Sequence, residues 1–281
     1  MNSGKVVSVS YELRELLRYE YAAPIEHLRH RLMIAPRTVD NAQQRIRHEL
    51  RVSPGLSHKW ETDAFGNLVV TIEAQQVESE IQLDYRATIR RRDGPSRGPE
   101  QFWIDDDRFR SPSQLTKPSE MLRSTAERLL IADDGGGKLA SLINEFVFQH
   151  MRYVTMATTV ETTAAEAFAQ GTGVCRDFAH VVIALCRLCG IPARYVVGYV
   201  VGEVGTHQWI EVIEPALGTG VALAVGYDPM HERRIALDHI SIAAGRDYAD
   251  VALASAKAVA PHASRYTMTR RVDVFDVEYS A

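Results

Sequence analysis

Cysteine is scarce in this chain, three in 281 residues. Cys175, Cys186 and Cys189 all fall on one predicted helix, so they cannot build a disulfide framework, and a reducing compartment fits. Long apolar runs are also missing; nothing reaches the roughly 20 residues of a membrane-spanning helix. The N-terminus, MNSGKVVSVSYELRELLRYEY, lacks the apolar core and small-residue cleavage site of a secretory signal. A cytoplasmic location with no membrane partner is therefore the expectation. Positive charge is not in excess: 32 Lys and Arg stand against 36 Asp and Glu, a net −4. Nucleic acid is not an expected partner. Nor is a P-loop present. Gly137-Lys138 is followed by Leu139 where a magnesium-binding Ser or Thr belongs, and no glycine lies five residues earlier. No Asp-x-Asp-x-Asp-Gly calcium loop occurs. The chain shows no internal repeat and no low-complexity segment, and no metal or other cofactor is expected.

What is there is ordinary for a globular protein, 46% hydrophobic and 24% charged, enough for one large domain or two modest ones. Residues 5 to 92 read as strands. Val6–Val9 is β-branched; Leu50–Ser53 alternates and stops at Pro54-Gly55. Trp60–Thr62 and Leu68–Ile72 flank the turn-rich Asp63-Ala64-Phe65-Gly66-Asn67 as a hairpin does. Ile81–Ile89 has the alternation of a half-buried strand. Residues 90–99, RRRDGPSRGP, are basic and rich in breakers; without interleaved aromatics they read as a solvated linker and not as a nucleic-acid patch. Helices are predicted at Ser119–Ile131, Leu139–Met151 and Ala164–Ala169, the last capped by Thr162 or Thr163 with Glu166. A loop is predicted at 133–138. Ala193–Val201, Gln208–Ile213 and Val221–Tyr227 turn to period two and read as strands, and Arg265–Val277 as one long strand or two short ones. The fold class is α+β: an N-terminal antiparallel β-rich domain (1–92), a linker (93–118), and a domain (119–281) in which a helix packs on an antiparallel sheet.

The chemistry centres on Gly171-Thr172-Gly173-Val174-Cys175-Arg176-Asp177-Phe178-Ala179-His180. The glycines free the backbone just ahead of Cys175. Phe178, Val181, Val182, Leu185 and Cys186 then follow at helical spacing until Gly190-Ile191-Pro192 stops the run. Cys175 is thus placed at the first turn of a buried helix, where unpaired N–H groups and the helix dipole favour a thiolate. This predicts a thiol pKa below that of a free cysteine. A cysteine nucleophile needs a base and a group to orient that base. His207 opens one later strand and Asp228 closes the next, so adjacency of the two strands would set them side by side at a sheet edge. His180 is a rival base, but five residues from Cys175 is about 140° around the helix. His231 is a second-choice base. Asp177 reads as a first-turn acid, and Glu211 as either a neighbour of the site or merely exposed. Cys186 and Cys189 have redox-pair spacing but lie inside a helix, as core cysteines do. A metal site from Cys175, His180 and His207 is disfavoured, since no second pair with ligand spacing exists.

The segments GTGVCRDFAHVVIALCRLCGIPARYVVGYV, HQWIEV and YDP together resemble the core of bacterial transglutaminase-like proteins, members of the wider papain-like cysteine-triad class. Asp238-His239-Ile240 and Gly245–Val251 are similar to that family's tail. Tyr19-Glu20-Tyr21 with Pro24, Leu32–Pro36, Pro54 and Asp63-x-x-Gly-Asn67 resemble the companion domain that often precedes the core. The sequence departs where the family commonly has a Trp before Asp-Pro (here Ala224–Tyr227), where Met230-His231 replaces Thr-Asn, and in ALASAKAVAPHA after Val251. The resemblance implies a catalytic triad of Cys175, His207 and Asp228. It further implies acyl transfer or hydrolysis on protein or peptide amides through a Cys175 thioester, as in a cysteine acyltransferase or peptidase. The backbone N–H of Cys175 is expected as one oxyanion donor, with Tyr153 and Gln170 upstream as possible sources of a second. The contrasting expectation is an inactive binding or scaffold module that keeps the fold.

Overall fold

The computed structural model describes residues 5–39, 41–99, 103–133, 138–259 and 264–279. The predicted loop at 133–138 lies mostly outside them. The N-terminal strands are β1 (Val6–Tyr21), β2 (Ile25–Leu32), β3 (Gln43–Ser53), β4 (His58–Thr62), β5 (Leu68–Val77) and β6 (Glu80–Arg92). Then come β7 (Ser96–Pro99), α1 (Asp107–Arg110), α2 (Glu120–Ala132), α3 (Leu139–His150), β8 (Arg152–Tyr153), α4 (Ala164–Gln170), β9 (Thr172–Gly173) and α5 (Cys175–Leu188). The chain ends with β10 (Ala193–Val200), β11 (His207–Ala216), β12 (Val221–Asp228), β13 (Arg233–Arg234), β14 (His239–Gly245), β15 (Ala254–Val259) and β16 (Ser264–Tyr279).

Three antiparallel sheets result, ordered β16-β1-β6-β3, β15-β2-β5-β4 and β13-β12-β11-β10-β14, with β7 added beside β12. The alternation of β1 puts Tyr11, Leu13, Leu17 and Tyr19 inward, against residues of β2, β5 and β6. Tyr199, Ile240 and Ile242 of the third sheet join that same core. The third sheet carries α5 on its other face, where Phe178, Val181, Val182 and Leu185 pack with Tyr195, Val197, Ile210 and Val212. A helix that is also enclosed by α2, α3 and α4 is buried almost all round, and eleven of its residues are buried.

Two long-range devices fix the N-terminal sheets to this core. Asn67 accepts from the backbone N–H of Ala244 and donates to its carbonyl, both at 2.8 Å. Gln43 does the same to Ser241, at 2.9 and 2.8 Å. Each side-chain amide stands in for one residue of a missing strand, so the outer edge of β14 is covered, as an edge strand requires. Asp63 holds Asn67 in place by accepting from its backbone and side-chain N–H groups.

Two parts of the chain behave differently from the sequence expectation. The segment read as a linker, 93–118, is built into the fold. Its β7 pairs with β12, and the buried Arg187 of α5 donates to the Phe109 carbonyl and the Thr116 hydroxyl. Arg91 is likewise buried, donating to the Ala42 carbonyl. The breakers there shape a turn into a short edge strand; local composition does not show that a partner strand is waiting. The last strand, grouped by sequence with the helical part, instead pairs with β1 along nearly its whole length.

Candidate active site

Local sequence sets the start of α5. Gly171 ends α4 in the left-handed region, φ +63°, where a side chain is strained. β8 and β9 then pair in parallel and lead the chain to Gly173. A Cβ on Gly173 would lie 2.7 Å from the Asp177 Cβ, so only glycine lets the turn close. The Asp177 carboxylate, fully buried, accepts from the Val174 N–H at 2.8 Å and from the Thr158 hydroxyl at 2.6 Å. It is the first-turn acid expected, here tying down an N–H the helix leaves unpaired. Cys175 is the first helical residue and is partly buried.

Strands β11 and β12 are adjacent and antiparallel, with Ile210 opposite Tyr227. That register brings the first residue of β11 beside the last of β12. His207 Nε2 lies 2.8 Å from Asp228 Oδ2, and both side chains are buried. The same carboxylate oxygen meets His231 Nδ1 at 2.7 Å and His239 Nε2 at 3.3 Å. Its other oxygen accepts from the backbone N–H groups of Met230 and His231. Burial acts to raise the Asp228 pKa, but the hydrogen bonds from His207, His239 and His231 outweigh it and hold the carboxyl far below the usual range. His239 itself bridges two acids, with Nδ1 at 2.7 Å from Asp238 Oδ1. Burial opposes its charge, yet Asp228 and Asp238 together raise its pKa.

Cys175 differs from expectation. Its thiol donates to Gln208 Oε1 at 2.7 Å. Among the described residues no hydrogen bond joins it to His207. Burial pushes the thiol up to about 11, although the backbone N–H groups of Gln208 and Arg176 pull the other way. The predicted lowering is therefore reversed: helix-end polarity is outweighed by the loss of water around the sulfur.

The remaining sequence candidates separate. His180 is fully buried, accepts from the Tyr248 N–H at 3.1 Å and is held near pKa 3 by burial and by Arg176 and Arg187; it is structural. His231 is drawn to the acid and not to the thiol. Glu211 is neither exposed nor beside the thiol; it makes a buried ion pair with Arg194 across β10 and β11. Tyr153 and Gln170 are exposed. Cys186 is fully buried, its pKa raised by burial, which accords with a core role. A cation could be held by His207, Asp228 and His231, whose ligand atoms lie within 4.8 Å of one another; the triple Cys175, His180 and His207 is not such a group. Two residues that sequence reasoning passed over, Gln208 and His239, touch the site directly. Both sit inside motifs already singled out, HQWIEV and Asp238-His239-Ile240, and their chemistry was the available signal.

Known proteins bear on this arrangement. Residues 11–90 match the bacterial transglutaminase-like N-terminal region, and residues 123–218 the transglutaminase-like superfamily core. The latter match includes Cys175 and His207 and stops short of Asp228. A proposed cysteine protease from Cytophaga hutchinsonii has the same fold, with a TM-score of 0.76, 22% identity, and coverage of 97% of this chain and 93% of that one. The uncharacterized protein ML0607 of Mycobacterium leprae is 37% identical over 110 residues, 36% of this chain and 37% of its own length. The uncharacterized protein Rv2569c of Mycobacterium tuberculosis is 33% identical over 116 residues, 37% of each. The matched stretch thus spans little over a third of these relatives. Among the described residues, no helix is long and apolar enough to cross a membrane. The chain thus carries a bacterial transglutaminase-like N-terminal region over residues 11–90 and a transglutaminase-like core over residues 123–218, in that order.

Proposed function

We propose that this protein is a thiol-dependent acyl-transfer enzyme acting on peptide or protein amides, with Cys175 as nucleophile, His207 as base and Asp228 as the acid that orients it. The observation that carries this reading is the buried 2.8 Å contact between His207 Nε2 and Asp228 Oδ2 at the sheet edge. Nε2 engaged with the acid leaves Nδ1 as the nitrogen able to take a proton from the thiol. Gln208, adjacent to His207 in the chain, holds that thiol in its resting position. A turn of the Cys175 side chain hands the proton to His207 as sulfur attacks the carbonyl. The tetrahedral oxyanion is held by the Cys175 backbone N–H, with the Gln208 amide group as second donor after reorientation. His207 then protonates the departing amine, and water or a second amine resolves the thioester.

One observation favours a second reading, a binding module with a dormant site: the thiol donates to Gln208 and not to His207, and burial raises its pKa. Incubation of a mixed peptide digest with the protein in ¹⁸O-labelled water containing methylamine separates the readings. New carboxyl termini carrying ¹⁸O indicate hydrolysis, and N-methylamides indicate transamidation; neither should arise with Cys175→Ala. Absence of both with the wild-type protein would favour the binding module.

A further inference from the structure

The inward row of β1 contains one charged residue among apolar ones: Tyr11, Leu13, Glu15, Leu17, Tyr19. Glu15 is 1% exposed. Its Oε1 accepts from the Tyr199 hydroxyl at 2.8 Å and from Arg270 Nε at 3.4 Å. Its Oε2 is buried with no hydrogen-bond partner among the described residues, and so is the Tyr19 hydroxyl. Unpaired buried polar atoms are costly, about 1–3 kcal/mol each. Both residues line one cavity of about 420 Å³, walled by Leu17, Met33, Ile34 and Val197 and bordered by Gln208. Gln208 is the residue that holds the Cys175 thiol. The cavity therefore runs from the N-terminal sheets to Gln208, one hydrogen bond from the Cys175 thiol, and its size is that of a ligand pocket.

We infer that this cavity receives the part of the acyl donor next to the scissile carbonyl, and that it selects an apolar or aromatic body ending in an uncharged group that both donates and accepts a hydrogen bond, such as a phenol. The donor half satisfies Glu15 Oε2 and the acceptor half the Tyr19 hydroxyl once these two side chains turn toward the cavity, since both atoms are covered in this structure. A charged ammonium is disfavoured, because Arg270 already offsets the Glu15 charge and a second buried cation would be left uncompensated. On this account the N-terminal domain supplies specificity and the core supplies chemistry. The inference rests on the Cys175 thioester proposed above.

Acylation of Cys175, followed by intact-protein mass spectrometry, tests it with three esters: 4-nitrophenyl acetate, 4-nitrophenyl 3-phenylpropionate and 4-nitrophenyl 3-(4-hydroxyphenyl)propionate. The last two differ by one hydroxyl. Wild type should prefer the hydroxylated ester by about tenfold or more, since a site built to bond a hydroxyl rejects its deletion. In Glu15→Gln, which offers a donor where an acceptor stood, that ratio should fall toward one. The ratio is taken on one enzyme sample, so partial misfolding cancels. Equal wild-type rates, a ratio that survives Glu15→Gln, or acylation by acetate while neither aryl ester reacts would each overturn the cavity assignment. No acylation of Cys175 by any of the three would instead remove the thioester proposal on which the inference depends.

Discussion

At the scale of single residues, the site is governed by how burial competes with hydrogen bonding. The Cys175 thiol loses that contest and is pushed up to about 11, while the Asp228 carboxyl, met by three imidazoles, stays ionised. In the proposed mechanism, proton transfer to His207 would then accompany attack and not precede it. The alkylation rate of Cys175 by iodoacetamide should accordingly climb about tenfold per pH unit from 7 to 10, following the small thiolate fraction. Cys186, fully buried, should stay unlabelled in the folded protein. A rate already level at pH 7 would mean a preformed thiolate. Asp228→Asn keeps the shape of the acid but can donate toward His207, favouring the wrong tautomer. The serine-protease counterpart of this change costs about 10⁴ in turnover. A cysteine is the better intrinsic nucleophile, so a loss on the order of 10² or more is expected here with the fold retained. Near-wild-type turnover in Asp228→Asn, with His207→Ala dead, would assign the orienting role to another group.

At the scale of elements, β14 joins the His207–Asp228 edge to the N-terminal sheets. On its inner end, His239 lies between Asp228 and Asp238. Burial would raise the Asp238 pKa, but His239 and Arg233 bring it down to about 2. Because that folded value is depressed, its stabilisation is present above the unfolded value of about 3.9 and is lost as pH falls toward 2. The His239 pKa is raised, so its stabilisation is complete below the unfolded value of about 6.5 and is lost as pH climbs through the folded one. On the acid side the buried neutral His180, held near 3, also loses stability as pH falls below about 6.5, so thermal stability should be greatest near pH 6.5 and decline on both sides. His239→Asn should flatten both limbs; an unchanged alkaline limb in that variant would contradict the bridge. Farther along β14, Asn67→Ala removes both partners of Ala244. Two backbone groups left unpaired should cost about 1–3 kcal/mol each in denaturant unfolding, and a loss within error would show that water replaces the amide.

At the scale of the whole molecule, the legible parts are those carried by local pattern. The run from Phe178 to Cys186 announced its helix, Thr163 with Glu166 its cap, and the HQWIEV and Asp228 strands lie next to each other as their order implied. Less legible were pairings across long separations. β16 reads as a strand in sequence, but nothing in it names β1 as its partner, and 90–99 looks solvated because the edge of β12 that receives β7 is invisible locally. Gln208, His239 and Glu15 have the same character: each is an unexceptional residue on a strand until the fold sets a thiol, a second acid or an apolar cavity beside it. Asn67 reads in sequence as part of a turn, whereas its bonds to Ala244 span 177 positions.

A Cys175 nucleophile must carry the acyl group during turnover, and rapid-quench mass spectrometry with 4-nitrophenyl acetate reads that group out. One acetyl group per chain is expected, located on the Cys175 peptide, formed within the first turnover and absent in Cys175→Ala. Release of 4-nitrophenol by Cys175→Ala at the wild-type rate, or an acetyl group on any other residue as the reacting species, would contradict it.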